Sequence, residues 1–323
     1  MMAFVSSRLP SISELRDYEH CALPGVCGNK ARKLAAFVDA RKLPSSGLVS
    51  HGGAQSNAMV ALAHLCHHRG TSLTYHCKLL PSWLRSSPVG NLAVALSLGS
   101  MTLIEHRRSE DYDDACAHAA SQPGFVPQGA ACPDAELGVR NLAHEITNWW
   151  DCVGQRAPLH VVVPAGTGTT ALFLARHLPE GVRVHAVPCV GGPKYLRDQM
   201  QRLDHVSGRI GRLPDILAPR DPVPFGSPDA ALLKSWREAA DAGVLVDLLY
   251  GAVAWRAMRE STELRGAGPD SLLYYNAGGH EGLASQLHRY KRAGLLARDD
   301  PSDVLATVQR ASGVVLDPPP RLR

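Results

Sequence analysis

Short apolar runs alternate with helix-period segments along most of the chain. "GLVSHGG" precedes "SNAMVALAHLCHHRG", "TSLTYHCKLL" precedes "GNLAVALSLG", "LHVVVPA" precedes "TTALFLARHL", and "VRVHAVPC" precedes "PKYLRDQMQRL". A nearly unbroken apolar run suits a strand covered on both faces, whereas apolar positions three and four apart suit a helix with one buried stripe. Repetition of the pair predicts an α/β protein: open, twisted, mostly parallel sheets flanked by helices. The periodicity lapses at residues 121–133 ("SQPGFVPQGAACP") and 208–228 ("GRIGRLPDILAPRDPVPFGSP"), and the first lapse is expected to be a domain crossing. The tail "LDPPPRLR" is expected to fray or to pack as extended chain.

Three glycine-rich loops follow apolar strands. "LHVVVPAGTGTTALFLARHL" reads as a strand at 159–163, a tight loop through Gly166, Thr167, Gly168, Thr169 and Thr170, and a helix to about residue 178. Backbone N–H groups, threonine hydroxyls and a helix N-terminus converge there, which suits a phosphate. GTGTTA also satisfies the dinucleotide pattern G-x-G-x-x-A, but the next strand, "VRVHAVPCVGG", lacks the acidic residue that would hold a ribose. No GxxxxGK[ST] occurs, so a triphosphate loop is disfavoured. "SHGGAQSNAMVALAHL" and "SLLYYNAGGHEGL" repeat the strand–glycine–helix design, and without a G-x-S-x-G elbow the HGG does not point to a serine hydrolase. Together the loops predict a cleft lined by small polar groups.

"GVCGNKARKLAAF", residues 25–37, adds a puzzle. Gly25 and Gly28 should make a turn and Asn29 a cap, starting a helix with Leu34, Phe37 and Val38 as apolar positions. Lys30 and Lys33 then share a face at the positive end of the helix dipole, where a cation is misplaced. An anionic ligand or an uncharged amine would remove the conflict.

Composition narrows the class. The 323 residues are 45% hydrophobic and 20% charged, ordinary for a globular chain of about two domains. A net charge of +4, from 34 basic and 30 acidic residues without long runs, implies neither nucleic acid nor a membrane surface. No leader or membrane span is read, so a cytoplasmic protein is expected. The eight cysteines lack a CxxC pair and are expected as free thiols rather than a disulfide framework. His64, His67 and His68 have helical spacing but no accompanying carboxylate, and no metal site is expected.

A lysine opening a helix, Ser-Asn on a glycine loop and a Gly-Thr phosphate cup together resemble the fold type II (tryptophan-synthase-β-like) pyridoxal phosphate enzymes. The nearest resemblance is to the D-cysteine desulfhydrase and 1-aminocyclopropane-1-carboxylate deaminase family, over residues 12–297. Its motifs stand here as "GNKARKL", "GGAQSN", Gly90-Asn91-Leu92, "GTGTTA", "VDLLYGA" and "NAGGHEGL". The resemblance implies a cofactor cleft between a large domain, residues 1–44 and 131–323, and a smaller substrate-side domain, residues 45–130. It implies pyridoxal 5'-phosphate held by Lys30 as a Schiff base, with Lys33 and the loop Gly166–Thr170 on its phosphate and Asn57 on the ring 3-oxygen. Ser56 would take the substrate carboxylate, and Tyr250 would be an acid–base or stacking group. The implied reaction is β-elimination or β-replacement on a small amino acid, in a homodimer, with cyclopropane ring opening as the alternative.

The sequence departs from the family on the substrate side. Gly251 and Ala277 stand where side chains near the pyridine nitrogen are expected, leaving Asn276 or a water to face it. Ala58, Val60 and Val253 replace a histidine, an arginine and a lysine, and no second tyrosine is evident in "PFGSPD". A different amino-acid reaction and a cofactor-binding protein with little catalysis are both compatible with these losses. A nicotinamide-dependent oxidoreductase is the remaining enzyme reading, resting on GTGTTA.

Overall fold

A computed structural model describes residues 4–6, 12–39, 43–154, 158–208, 211–267 and 271–297. The "LDPPPRLR" tail lies outside them. The described strands are β1 (Phe4–Ser6), β2 (Ser13–Arg16), β3 (Cys21–Leu23), β4 (Val26–Cys27), β5 (Leu48–His51), β6 (Leu73–Lys78), β7 (Met101–His106), β8 (Phe125–Val126), β9 (Leu159–Ala165), β10 (Val182–Pro188), β11 (Asp215–Ile216) and β12 (Leu272–Asn276). One sheet runs β1-β2-β12-β9-β10-β11, parallel except for the β1–β2 pair. A second, fully parallel sheet runs β7-β6-β5-β8. The α/β architecture read from the periodicity is therefore present, with both sheets covered by helices.

The larger sheet owes its place to strands that are apolar on both faces. On one side Val161 and Val163 pack with Val139, Leu142 and Ile146 of the helix Ala135–Cys152 and with the helix Thr169–His177. On the other side Val162 and Val187 pack against Trp236 and Trp255 of the helices Ala230–Asp241 and Gly251–Glu260. The smaller sheet has its own core around Leu62, Leu65, Leu73 and Tyr75, closed by the helix Asn57–Arg69. The chain leaves this sheet at β8 and enters the helix Ala135–Cys152, so the lapse at 121–133 does join the two sheets.

Three local expectations are corrected. Asn29 does not cap its helix: the helix is Gly28–Lys33, its N-cap position is Cys27, and no side chain caps it. Instead the Asn29 N–H donates to the Ala277 carbonyl at 3.3 Å, an anchor that spacing within one segment cannot reveal. The helix also stops at Leu34, which has φ −92° and ψ 4°, and a separate turn Ala35–Val38 follows, with Phe37 and Val38 half-buried. Finally, Cys21 and Cys27 form a disulfide across the β3–β4 hairpin, because the Pro24-Gly25 turn brings their Cα atoms to 4.0 Å; the other six cysteines are free.

Candidate active site

The residues singled out from sequence converge on one cavity of 260 Å³ at the carboxyl ends of β9, β10 and β12. Lys30, Lys33, Ser56, Asn57, Gly166, Thr167, Gly168, Thr169, Thr170, Tyr250 and Asn276 all line it. Crevices at the carboxyl ends of parallel strands are where α/β folds bind ligands, since several loops face one another there.

Two glycines fix the lysine helix and the phosphate-type loop. Gly28 has φ +62°, and a methyl group there would sit 2.4 Å from the Ala277 carbonyl oxygen. Only glycine lets the lysine helix start so close to the loop after β12. Gly168, φ +74°, is the N-cap of the helix Thr169–His177, and a methyl there would meet Met200 Cγ at 2.4 Å. The lysine helix Gly28–Lys33 is further held by an ion-pair network: Arg32 Nε donates to Asp17 Oδ1 at 3.1 Å, and its two terminal nitrogens donate to Glu145 at 2.8 and 2.9 Å. Tyr275 donates to the other Asp17 oxygen at 2.5 Å, tying the network to β12.

Both lysines are where charge is unwelcome. Burial pushes the Lys30 amine down from 10.5 to about 8, and its Nζ donates to Asn29 Oδ1 at 3.2 Å. Lys33 is 4% exposed; its Nζ donates to the Gly129 carbonyl at 3.0 Å, and burial, then the Lys30 charge, hold its pKa well below the usual lysine range. The conflict with the helix dipole expected from sequence does not arise, because the helix ends at Lys33 and both lysines fall in its last turn; burial is what favours the uncharged amine. On the opposite wall the Thr170 hydroxyl is buried with no hydrogen-bond partner among the described residues, while the Thr167 and Thr169 hydroxyls bond each other at 2.9 Å. A buried orphan hydroxyl at a helix N-terminus is a donor waiting for an acceptor.

The smaller sheet contributes the third wall. Ser56 caps the helix Asn57–Arg69, accepting from the Ala58 and Met59 N–H groups at 3.2 and 3.4 Å, and its hydroxyl also hydrogen-bonds the Tyr75 phenol. Asn91, which sequence placed in a motif without a role, donates to Asn57 Oδ1 at 2.6 Å and to the Gln55 carbonyl at 3.0 Å. With its oxygen so occupied, the Asn57 amide presents its N–H₂ as the free end.

Asn276 is in the cavity wall but already spoken for. Its Nδ2 donates to Glu14 and to the Leu245 carbonyl, both at 2.7 Å, so only its oxygen can receive a further bond. The Tyr250 ring stands beside Gly166, and burial raises its pKa, keeping the phenol protonated. Phe225 fills the place where a second tyrosine was sought, its ring centroid 5.4 Å from that of Tyr250 in an edge contact.

Sequence reasoning missed Asp247. Its carboxylate lines the cavity wall while accepting from the Leu249, Tyr250 and Gly251 N–H groups at 2.7, 2.8 and 3.1 Å, which shapes the turn that delivers Tyr250. Its sequence signal is an Asp four residues before the first residue of the helix Gly251–Glu260, where a carboxylate can accept from the N–H groups of the entering turn. The histidines weighed for a metal are engaged otherwise: His67 bonds the Leu98 carbonyl and His68 the Pro24 carbonyl, each at 2.9 Å. After GTGTTA, β10 ends at Pro188 and Val190 lines the cavity, so the ribose-binding acid required for a dinucleotide is not at that strand end.

No protein-family profile and no curated protein matches the sequence. Solved structures do match. An ACC deaminase homologue superposes with a TM-score of 0.68 at 19% identity, covering 86% of this chain and 88% of that one. Maize serine racemase gives 0.60 at 14% identity over 91% and 92% of the two chains. A hydrogen sulfide-producing enzyme from Fusobacterium nucleatum gives 0.57 at 13%, over 86% and 92%. The chain has the fold of these proteins, the fold type II architecture, along nearly its whole described length.

Proposed function

We propose that this chain is a pyridoxal-phosphate-dependent enzyme acting on a small amino acid by β-elimination or β-replacement. The observation that carries the reading is a desolvated primary amine, Lys30, sharing one cavity with an orphan buried hydroxyl, Thr170, at a helix N-terminus. These are the two fittings the cofactor needs: an uncharged amine for its aldehyde and dipole-aligned donors for its phosphate. The fold shared with an ACC deaminase homologue, a racemase and a sulfide-producing enzyme supports the same assignment.

When bound, the cofactor supplies an electron sink for charge developing at the amino acid's Cα. Lys30 would hold the cofactor, and as a free amine it would take the Cα proton, burial lowering its pKa to about 8 so that part of it is uncharged near neutrality. Gly166 to Thr170 supply backbone and hydroxyl donors to the phosphate, and Lys33 adds charge as a dianion raises its pKa. The Asn57 N–H₂, oriented by Asn91, donates to the ring 3-oxygen. Ser56 donates to the substrate carboxylate, and the protonated Tyr250 serves as acid toward a leaving group. With its Nδ2 engaged, Asn276 would offer the pyridine ring only an amide oxygen, a weaker partner than a carboxylate. Ring opening of a cyclopropane amino acid is less well supported, because Gly251 supplies no side chain beside Tyr250. The working form is proposed to be a cytoplasmic homodimer, for which light scattering should give twice the 34.7 kDa chain mass.

Reconstitution with the cofactor should give an absorbance band at about 410–430 nm, a general property of its imines with lysine. Borohydride reduction followed by peptide mapping should place the label on Lys30, and Lys30→Ala should lose both. Incubation with D- and L-amino acids bearing β-leaving groups should release a 2-oxo acid. A label elsewhere, or no band, refutes the cofactor assignment; a band without turnover on any of them refutes the reaction.

A further inference from the structure

A second chemistry-bearing cluster lies at the other end of the large sheet. His160 is near the start of β9, about 16 Å along the strand from Ala165 at the cavity. In the β9–β10 register His160 stands opposite Arg183, and His185 is two residues further along β10. His185 in turn pairs with Asp215 of β11. Residues two apart on a strand, and partners in register, share a face, so these four side chains emerge together. Glu263, from the short turn Thr262–Arg265, closes over them. His160 Nδ1 and His185 Nε2 are 2.9 Å apart with rings inclined by 22°, and their ligand atoms and a Glu263 carboxylate oxygen all fall within 4.8 Å of one another. Arg183 sits at the rim, bonded to Glu263 at 2.6 Å and to Asp215 at 3.0 Å.

We propose that His160, His185 and Glu263 form a binding site for one divalent transition-metal ion of the zinc, nickel and copper class. Two imidazoles and one carboxylate suit these borderline ions and not magnesium or calcium, which require oxygen donors. Two nitrogens on a tetrahedral ion at about 2.05 Å stand about 3.3 Å apart, so the rings need separate by only about 0.4 Å. The proton bridging the two rings moves to the donor ring's other nitrogen, and both lone pairs then face the ion; no proton need leave the protein. Arg183 is the resident cation of the cluster. The ion displaces its guanidinium from Glu263, while Asp215 retains it. Bound there, remote from the cavity, the ion ties the Thr262–Arg265 turn to the sheet and contributes to folding rather than to chemistry. Spacing along the chain gives no hint of such a site, since the histidines are 25 residues apart and only strand register brings them together.

The test uses the full chain, reconstituted with cofactor and stripped of metal by a chelator. Titration with Cu²⁺ should saturate at one tight equivalent whose paramagnetic resonance spectrum carries coupling to two nitrogens, and Zn²⁺ should compete for it and raise Tm. His160→Asn should leave one nitrogen coupling and weaken binding by tenfold or more, and Glu263→Gln should weaken it comparably. Arg183→Gln, which removes the competing cation, should tighten binding. His185 is 1% exposed and is left intact, because replacing it changes core packing. Binding that does not saturate at one equivalent, that keeps two nitrogen couplings in His160→Asn, or that weakens in Arg183→Gln overturns the proposal.

Discussion

Replacing Lys30 by methionine should make the cofactor-free protein more stable while destroying its capacity to hold the cofactor. The folded protein lowers this amine from 10.5 to about 8 by taking it out of water. At pH 7 the amine is protonated in both states, so folding carries nearly the whole shift as a cost, about 3 kcal/mol at 1.36 kcal/mol per unit. Water reaching the amine through the cavity mouth reduces this, and the expected gain of Lys30→Met is about 2 kcal/mol. The pH dependence gives the sharper check. Between pH 8 and 10.5 the unfolded chain binds more protons at this site than the folded one, so the wild-type stability gains with rising pH relative to the variant. The gap seen in urea unfolding at pH 7 should therefore close as pH approaches 10.5. Saturating cofactor should reverse the ranking, stabilising only the wild type. A variant no more stable than wild type at pH 7, or a gap that ignores pH, would refute the desolvation on which the reading of Lys30 rests.

Other changes test the frame around that amine. Gly168→Ala meets both a positive φ and a methyl contact with Met200 Cγ, and should cost about 2 kcal/mol or more in urea unfolding while weakening cofactor affinity. Asp17→Asn removes the buried carboxylate that faces Arg32, and a loss of about 3 kcal/mol is expected by chemical denaturation. Asn91→Leu releases the Asn57 amide; fluorescence titration of the cofactor-free protein should find affinity lowered about tenfold, a difference of 1.4 kcal/mol, with little change in the absorbance maximum.

What the sequence made legible was whatever is local. The β9 run, the Gly-Thr loop and its helix are contiguous, so apolar continuity and glycine content sufficed to place them within a few residues. The cap of the helix Asn57–Arg69 is equally local, since Ser56 accepts from N–H groups two and three residues on. What escaped was whatever depends on chain segments meeting. Asn29 was read as a cap because a cap is the local use of an asparagine at a helix start, yet its N–H serves the loop after β12, 248 residues away. Cys21 and Cys27 showed no familiar spacing and pair because a two-strand hairpin folds them together. Gly251 illustrates the limit from the other side. From sequence it reads as the loss of a side chain beside the cofactor, a functional subtraction. In the fold, a Cβ at that position would lie 2.5 Å from Val246 Cβ, so the glycine is demanded by the packing of the Asp247 turn against the preceding strand of chain. The turn has been tightened around Asp247, and the space a larger residue would need is already filled. The glycine at 251 therefore answers to the packing of this turn, a demand that no reading of one segment reveals, while Tyr250 and Phe225 face the cavity beside it.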